Sequence, residues 1–457
     1  MKKLFLNHSI VELHQLMINN ELLREDVITE FEAMVNQYEQ KVHAWAYYDI
    51  NYLRNSIFKG NDAFRKELLG SMLAGLPVGV NDNFNIKMYP TEMGSQIWKG
   101  FTPGNNARVV DILVQEGGLI AGKTVTTEFA VHELNETINP HDFMRTPGAS
   151  SSGSAVAVAA GMVPYALGTQ AAGCLARPAS YCGIWGMKPS FGLIPRTGVL
   201  KTTDTLDTVG FVAAHGKSLR PILDAIRVKG PNYPFVYKLI DRKKTSTKHK
   251  GSSLRIGFIK THVWDNAEAY VKEEFQNLLN ELTGLKEIEL QEMQWDNVIS
   301  DAHNVHSILY NKSIAYYFQN EKRIVESISH IMKNLIEVGN EITPEQYKYA
   351  LSMQTNIGKA VEKSLEPFDV VFSLGTSSDA PLRGSKERPD PSSIWTLAHI
   401  PSVFVPMFRS PQGLPFGIQI ISKRFNDYLL LSIVEDFIDQ GVFPSGSMNI
   451  ENPLFFE

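Results

Sequence analysis

The chain has 457 residues, enough for one large domain or two to three ordinary ones. Hydrophobic residues make up 43% and charged residues 20%, which excludes a disordered chain. The formal net charge of −5 argues against a nucleic-acid or anionic-membrane partner.

The opening Met1–Leu6 has two lysines and a short apolar run that Asn7, His8 and Ser9 end, too short for an export signal. Residues 9–55 read as two helices. Ser9 caps a run with Ile10, Leu13 and Met17 on one face, and Val27, Ile28, Phe31 and Met34 recur at helical spacing. Residues 75–86 predict a short buried strand and then a polar loop. Val109 to Val114 predicts a helix, and Gly118 to Ala121 a strand. Residues 147–210 are rich in Gly, Ala and Ser and poor in charge, so backbones there can approach one another and a ligand closely. Within them Ser154 to Ala160 predicts a small-residue helix. Residues 229–252 carry a basic run, Asp241 to Lys250, that reads as a solvated loop.

Leu254 to Ile259 restarts a strand. Residues 266–363 are mostly helical by periodicity, and 215–365 reads as a variable helical layer over the core. Strands return at 367–373, 402–406 and 416–421, and a helix spans about 426–439. The whole implies one α/β domain, residues 1–457, with a mixed sheet wrapped by helices. No stretch approaches the ~20 apolar residues of a membrane-spanning helix. The only two cysteines, Cys174 and Cys182, exclude a disulfide framework and fit a reducing, cytoplasmic setting. No HExxH, paired CxxC, GxGxxG or GxxxxGK[ST] occurs, so no metal or cofactor is expected.

The chemistry-bearing candidate lies in residues 147–182. A Ser-rich turn, Pro147-Gly-Ala-Ser-Ser-Ser-Gly-Ser154, precedes a helix, and a second Gly-bounded turn, Gly168-Thr-Gln-Ala-Ala-Gly-Cys174, follows it. Consecutive N–H groups around Ala171, Ala172 and Gly173 can form a nest for an oxyanion, with the Cys174 thiol placed as a nucleophile would be. By composition alone the turns fit tight packing better, with Cys174 a small core residue.

These turns are similar to the two signature turns of the amidase signature family, GGSS[GS]GS and GTDxxGSxRxPA. Further matches follow in family order. Gly75-Leu-Pro-Val-Gly-Val-Asn-Asp-Asn resembles G-x-P-x-x-V-K-D. Gly122-Lys-Thr and Glu128-Phe-Ala resemble GKTN and EFA. Gly183-Ile-Trp-Gly-Met-Lys-Pro resembles G-x-x-G-x-K-P. Thr205-Leu-Asp-Thr-Val-Gly210 resembles S-L-D-x-x-G, and Leu414-Pro-Phe-Gly-Ile-Gln419 resembles L-P-x-G-x-Q. The resemblance implies the amidase signature fold, one large mixed central sheet with helices on both faces, and hydrolysis or transfer of amides by a Ser–cis-Ser–Lys triad.

Carried over position by position, the cis-Ser falls on Ser150 and the nucleophile on Cys174, 24 residues on. The Lys falls on Asn81, and the oxyanion hole on Ala171, Ala172 and Gly173. Asn81 cannot accept a proton at neutral pH. A thiol, ionising near ~8.5, needs that base less than a serine does. The Asp of GTD is Gln170, and the family's Arg is Ala176, with Arg177 one place later.

His132 is a candidate replacement base, also readable as an ordinary surface histidine, and Lys87 is a remoter one. Cys182 reads as core packing, and Ser151, Ser152 and Ser154 as holders of backbone turns. Two functions fit these residues. One is acyl transfer or hydrolysis at an amide, ester or thioester carbonyl through Cys174. The other is a degenerate homologue that binds a ligand or scaffolds a partner. The expected partner is a small amide, ester or thioester, and the resemblance adds a homodimer as a candidate assembly. The aromatics Trp264, Trp295, Tyr310, Tyr316, Tyr317 and Phe318 fit either helix packing or an apolar ligand part.

Overall fold

A computed structural model of the protein describes residues 3–56, 61–132, 134–229, 240, 253–285, 287–324 and 327–456. Among the described residues eleven strands form one mixed sheet. They are β1 (Trp45–Tyr48), β2 (Pro77–Asn81), β3 (Leu119–Thr124), β4 (Tyr165–Gln170), β5 (Trp185–Lys188), β6 (Thr208–Ala213), β7 (Leu254–Phe258), β8 (Ile288–Glu292), β9 (Val370–Leu374), β10 (Ser402–Arg409) and β11 (Pro415–Ile421). Their spatial order is β1-β3-β2-β4-β6-β5-β10-β11-β9-β7-β8.

β3, β2 and β4 run parallel, as do β8, β7 and β9, and the strands between them are antiparallel. Central strands are buried on both faces and read as near-continuous apolar runs, such as Val-Val-Phe-Ser-Leu in β9. The edge strand β8, Ile-Glu-Leu-Gln-Glu, carries acidic side chains that discourage pairing with another chain.

Helices pack on both faces of this sheet. Ser152–Ala159 lies against β2 and β4, and Ala176–Tyr181 against β10 and β11. Arg108–Gln115 and Leu219–Ile226 lie against β3 and β5. The Ser152–Ala159 helix is buried all round and sits unusually close to its neighbours. A Cβ on Gly153 would meet the Val125 nitrogen at 2.4 Å and the Ala44 oxygen at 2.5 Å. A Cβ on Gly168 of β4 would meet Ser151 Oγ at 2.5 Å. The small residues of this stretch are therefore the condition for the two turns to meet.

A helical layer, Ala302–Tyr317, His330–Glu341 and Pro344–Ser364, covers one end of the sheet. Its caps are legible. Ser329 Oγ accepts from the Met332 N–H, and Thr343 with Gln346 closes a capping box ahead of Pro344 at the first helical position.

The first 55 residues differ from the two helices expected. Helices Ile10–Ile18 and Arg24–Val42 do form, but β1 and a third helix, Ile50–Ser56, follow. His43, at φ +49°, ends the second helix, and Trp45-Ala-Tyr-Tyr48, an aromatic run suited to a pleated surface, pairs antiparallel with β3. The basic run 241–250 lies outside the described residues. No helix among the described residues is long and apolar enough to cross a membrane.

Candidate active site

The parallel strands β2, β3 and β4 end together, and the site is built on those ends. Asn81 closes β2 opposite Thr124 of β3. Its side chain is fully buried and its Nδ2 donates to the Val125 carbonyl at 3.1 Å and the Ser150 carbonyl at 3.2 Å. Asn81 thus ties the first signature turn to the strand ends. Asn81 Oδ1 and the buried Ser150 Oγ have no hydrogen-bond partner among the described residues. Every described peptide bond is trans, including those flanking Ser150, so the cis geometry that the resemblance implied there is absent.

The neighbouring serines hold the turn. Ser154 Oγ donates to the Leu167 carbonyl at 2.8 Å, Ser151 Oγ to the Thr169 carbonyl at 3.3 Å, and Ser152 Oγ accepts from Asn135 at 2.7 Å.

The second turn leaves β4 at Gln170 and enters the Ala176–Tyr181 helix. Gln170 Oε1 accepts from the N–H groups of Leu175 and Ala176 at 3.0 and 3.1 Å. The amide therefore does for that helix start what a carboxylate would, without its charge. Two carbonyls of the turn are held from outside, Ala171 O by His306 Nε2 at 2.8 Å and Ala172 O by Thr396 Oγ1 at 2.8 Å, while Gly173 O accepts the Arg177 N–H of the following helix at 3.0 Å. Among the described residues nothing accepts from the N–H groups of Ala172, Gly173 or Cys174. Cys174 is half-buried, whereas Cys182 is wholly buried against the Pro147 carbonyl.

Arg177, three residues after Cys174, sits in a charged cluster beside the second turn. Its Nη1 bonds Glu387 at 2.5 Å and His132 Nε2 at 3.0 Å, and its Nε lies 3.3 Å from Asp390 Oδ2. Burial works against the guanidinium charge, and Glu387, Asp390 and then Cys174 outweigh it and raise its pKa. Burial likewise opposes ionisation of Glu387, but Arg177 and His132 hold its pKa down at about 2. Asp390 Oδ2 lies over the second turn: a Cβ on Gly173 would fall 1.8 Å from it.

A cavity of about 510 Å³ opens beside this cluster, lined among others by Gly148, His132, Leu134, Arg177, Glu387 and Asp390. From the helical layer Tyr310 comes within electrostatic reach of Cys174; burial first, then the nearby thiol, raises its pKa. The other aromatics pack or face solvent. Trp295 stacks on Trp395, Phe318 packs tilted against Phe129, Trp264 lies edge-on to Phe275, Tyr317 bonds Asp204, and Tyr316 is exposed.

The structure brings Asn81 and Ser150 together and places Cys174 at the end of the second turn. It does not bring His132 to either Ser150 or Cys174: the imidazole, largely exposed, is bonded to Arg177 and 3.3 Å from Glu387. Lys87 is exposed at a loop, its N–H donating to Asn106. The buried Lys123 points the other way. Val80, not Asn81, is its partner across the ladder, and its ammonium donates to Asp82 at 2.7 Å, Thr91 at 2.8 Å and Pro90 at 3.1 Å.

Sequence reasoning missed Asp390, Glu387, His306 and Thr396. They lie more than a hundred residues from Cys174, and Arg383 to Asp390 reads as a charged surface loop with no motif. Among the described residues no three His, Cys, Asp or Glu side chains form a metal-binding group.

An eleven-stranded mixed sheet that carries two small-residue turns on the ends of its parallel strands defines an amidase-type fold, and the chain belongs to the amidase family, whose model matches residues 26–431. It is 27% identical over 473 residues to a glutamyl-tRNA(Gln) amidotransferase subunit from Staphylococcus epidermidis, covering 94% of this chain and 97% of that one. It is 28% identical over 495 residues to the corresponding protein of a Geobacillus species, covering 94% and 96%.

Among solved structures it is similar to 6-aminohexanoate cyclic dimer hydrolase, with a TM-score of 0.83 at 18% identity over 99% of this chain and 100% of that one. It is also similar to the glutamyl-tRNA(Gln) amidotransferase subunit of Thermotoga maritima, with a TM-score of 0.76 at 22% identity over 97% and 98%. At those identities the likeness is one of fold.

Proposed function

We propose that this protein is an acyl-transferring or hydrolysing enzyme in which Cys174 attacks an ester, thioester or amide carbonyl. The observation that carries the reading is the pairing of a half-buried thiol with three N–H groups, at the turn it ends, that have no partner among the described residues. Sγ forms a bond to the carbonyl carbon, and the N–H groups at Ala171, Ala172, Gly173 and Cys174 hold the oxyanion. Collapse expels the leaving group, which takes up the thiol proton, and leaves a thioester on Cys174. Water or another acceptor then attacks, its proton returns to sulfur, and the free thiol is restored.

Ser150 and Asn81 orient groups by hydrogen bonding. Their buried, unpartnered Oγ and Oδ1 atoms are the second support for a ligand here. With Asn81 in place of a lysine, activated donors suit the site better than plain amides, because an ester or thioester leaves without a strong general acid. Family membership and the amide-acting names of the relatives support chemistry at a C–N or related acyl bond. The substrate on this reading is a small molecule, and the setting cytoplasmic.

A second reading has its own observation. The Asp390 carboxylate over Gly173 disfavours an oxyanion at the nest, which fits a homologue that binds a ligand or supports a partner without turnover. A panel of chromogenic esters and thioesters separates the two. Turnover abolished by Cys174→Ala supports the enzyme; turnover absent throughout, or equal in the variant, overturns it.

A further inference from the structure

We infer that His306 and Thr396 are positioning residues that aim the oxyanion-binding peptides of the second turn; the inference rests on the reading of Cys174 as the nucleophile. A trans peptide unit is planar, so its C=O and the following N–H point in opposite directions. Fixing the carbonyl of Ala171 therefore aims the N–H of Ala172, and fixing that of Ala172 aims the N–H of Gly173. Nothing local does this: the turn is neither helix nor strand at these residues, and their side chains are methyl groups or hydrogen. The two carbonyls are instead held by side chains 135 and 224 residues away, His306 Nε2 and Thr396 Oγ1, each at 2.8 Å.

The donors are defined by chemistry. A carbonyl only accepts, so His306 carries its proton on Nε2. Burial of the ring lowers its pKa, and the Ala171 bond and Asp390 oppose that shift without reversing it. Thr396 has one hydroxyl proton; Ala172 O at 2.8 Å is the better acceptor than Ser392 O at 3.3 Å. The same Oγ1 accepts from Gln170 Nε2 at 3.1 Å, and Gln170 Oε1 holds Leu175 and Ala176. One connected network thus grips the turn on its outer side while the N–H groups beside Cys174 stay without partners.

His306 also explains what the helical layer contributes. It stands on Ala302–Tyr317, one turn before Tyr310, so the layer that covers the site also sets the nest.

Two reactions of Cys174 separate positioning from general disruption. Acylation by p-nitrophenyl acetate passes through an oxyanion; alkylation by iodoacetamide does not. In His306→Leu and Thr396→Val, acylation should slow by about tenfold to 10²-fold while alkylation stays within about twofold of wild type. His306→Gln and Thr396→Ser, which keep an N–H or O–H donor, should recover most of the loss. Hydrogen exchange of the 171–174 amides should rise in the first pair and not in the second.

Unchanged acylation in His306→Leu, a parallel fall in both reactions, or no recovery in the conservative variants would overturn the inference. A wild type that is alkylated but never acylated overturns the Cys174 reading instead. Exchange at 171–174 then still decides whether the two side chains hold the turn, and unchanged exchange refutes that.

Discussion

On the proposed reading Asn81 stands where a serine amidase would carry its lysine, and Cys174 where it would carry its serine. The buried amide spends both of its N–H donors on main-chain carbonyls, one of them from the signature turn, so its role in the fold is structural and polar. Neither Lys123 nor Lys87 replaces the family's lysine: Lys123 is paired with Asp82 on the other face, and Lys87 is at the surface. A serine hydroxyl at position 174 would therefore lack a lysine to take its proton, while a thiol ionises in part by itself. Cys174→Ser should retain the fold and lose roughly 10²- to 10⁴-fold in acyl-transfer rate, the usual contribution of a positioned base. Stopped-flow acylation with an activated ester, with melting as the control for folding, measures this. A serine variant within a few-fold of wild type would mean that a group other than a lysine takes the proton.

At the scale of elements, the signature stretch works by closeness. Gly153 starts the Ser152–Ala159 helix against the backbone of Val125 and Ala44, and no flexible side chain stands there to move aside. Gly153→Ala should destabilise the protein by roughly 1–3 kcal/mol or more through overpacking, read as a lower denaturant midpoint. It should also disturb Ser150, three residues earlier. A variant as stable as wild type would contradict this close packing.

Much of this was legible in the sequence. The glycine- and serine-rich texture, the position of Cys174 and the strands that end at Asn81 and Leu374 were all readable, because local pattern specifies them. Strands β4, β5, β6 and β8 were not: the first three lie in the stretch whose Gly, Ala and Ser texture masks a strand pattern, and β8 interrupts residues 266–363, which read as mostly helical. The groups around the thiol were less legible still. Asp390, Glu387, His306 and Thr396 reach the site only through sheet order and the helical layer, and no spacing rule connects residue 174 to residue 390.

At the scale of the whole molecule, the buried charged cluster around Arg177 joins three distant segments. The second turn, the segment at His132 and the 383–390 loop meet there, and Glu387 and Asp390 are both drawn in. Glu387 is ordinarily protonated near pH 4.5 and in the folded protein near about 2. A carboxyl with a depressed folded pKa stabilises the fold fully above the unfolded value, and that stability is lost as pH falls toward the folded one. Unfolding midpoints should therefore drop between about pH 4.5 and 2, and Glu387→Gln should flatten that part of the profile. Parallel profiles for the two proteins would show that the Arg177 cluster does not couple to global stability.

The proposed chemistry stands on the thiol at the end of the nest. Intact-mass measurement of the native protein after brief exposure to an activated thioester tests it most directly. The predicted result is one acyl group per chain, mapped to Cys174, removed by hydroxylamine and absent from Cys174→Ala. A protein whose Cys174 reacts with iodoacetamide but never carries an acyl group, or whose adduct survives Cys174→Ala, would contradict it.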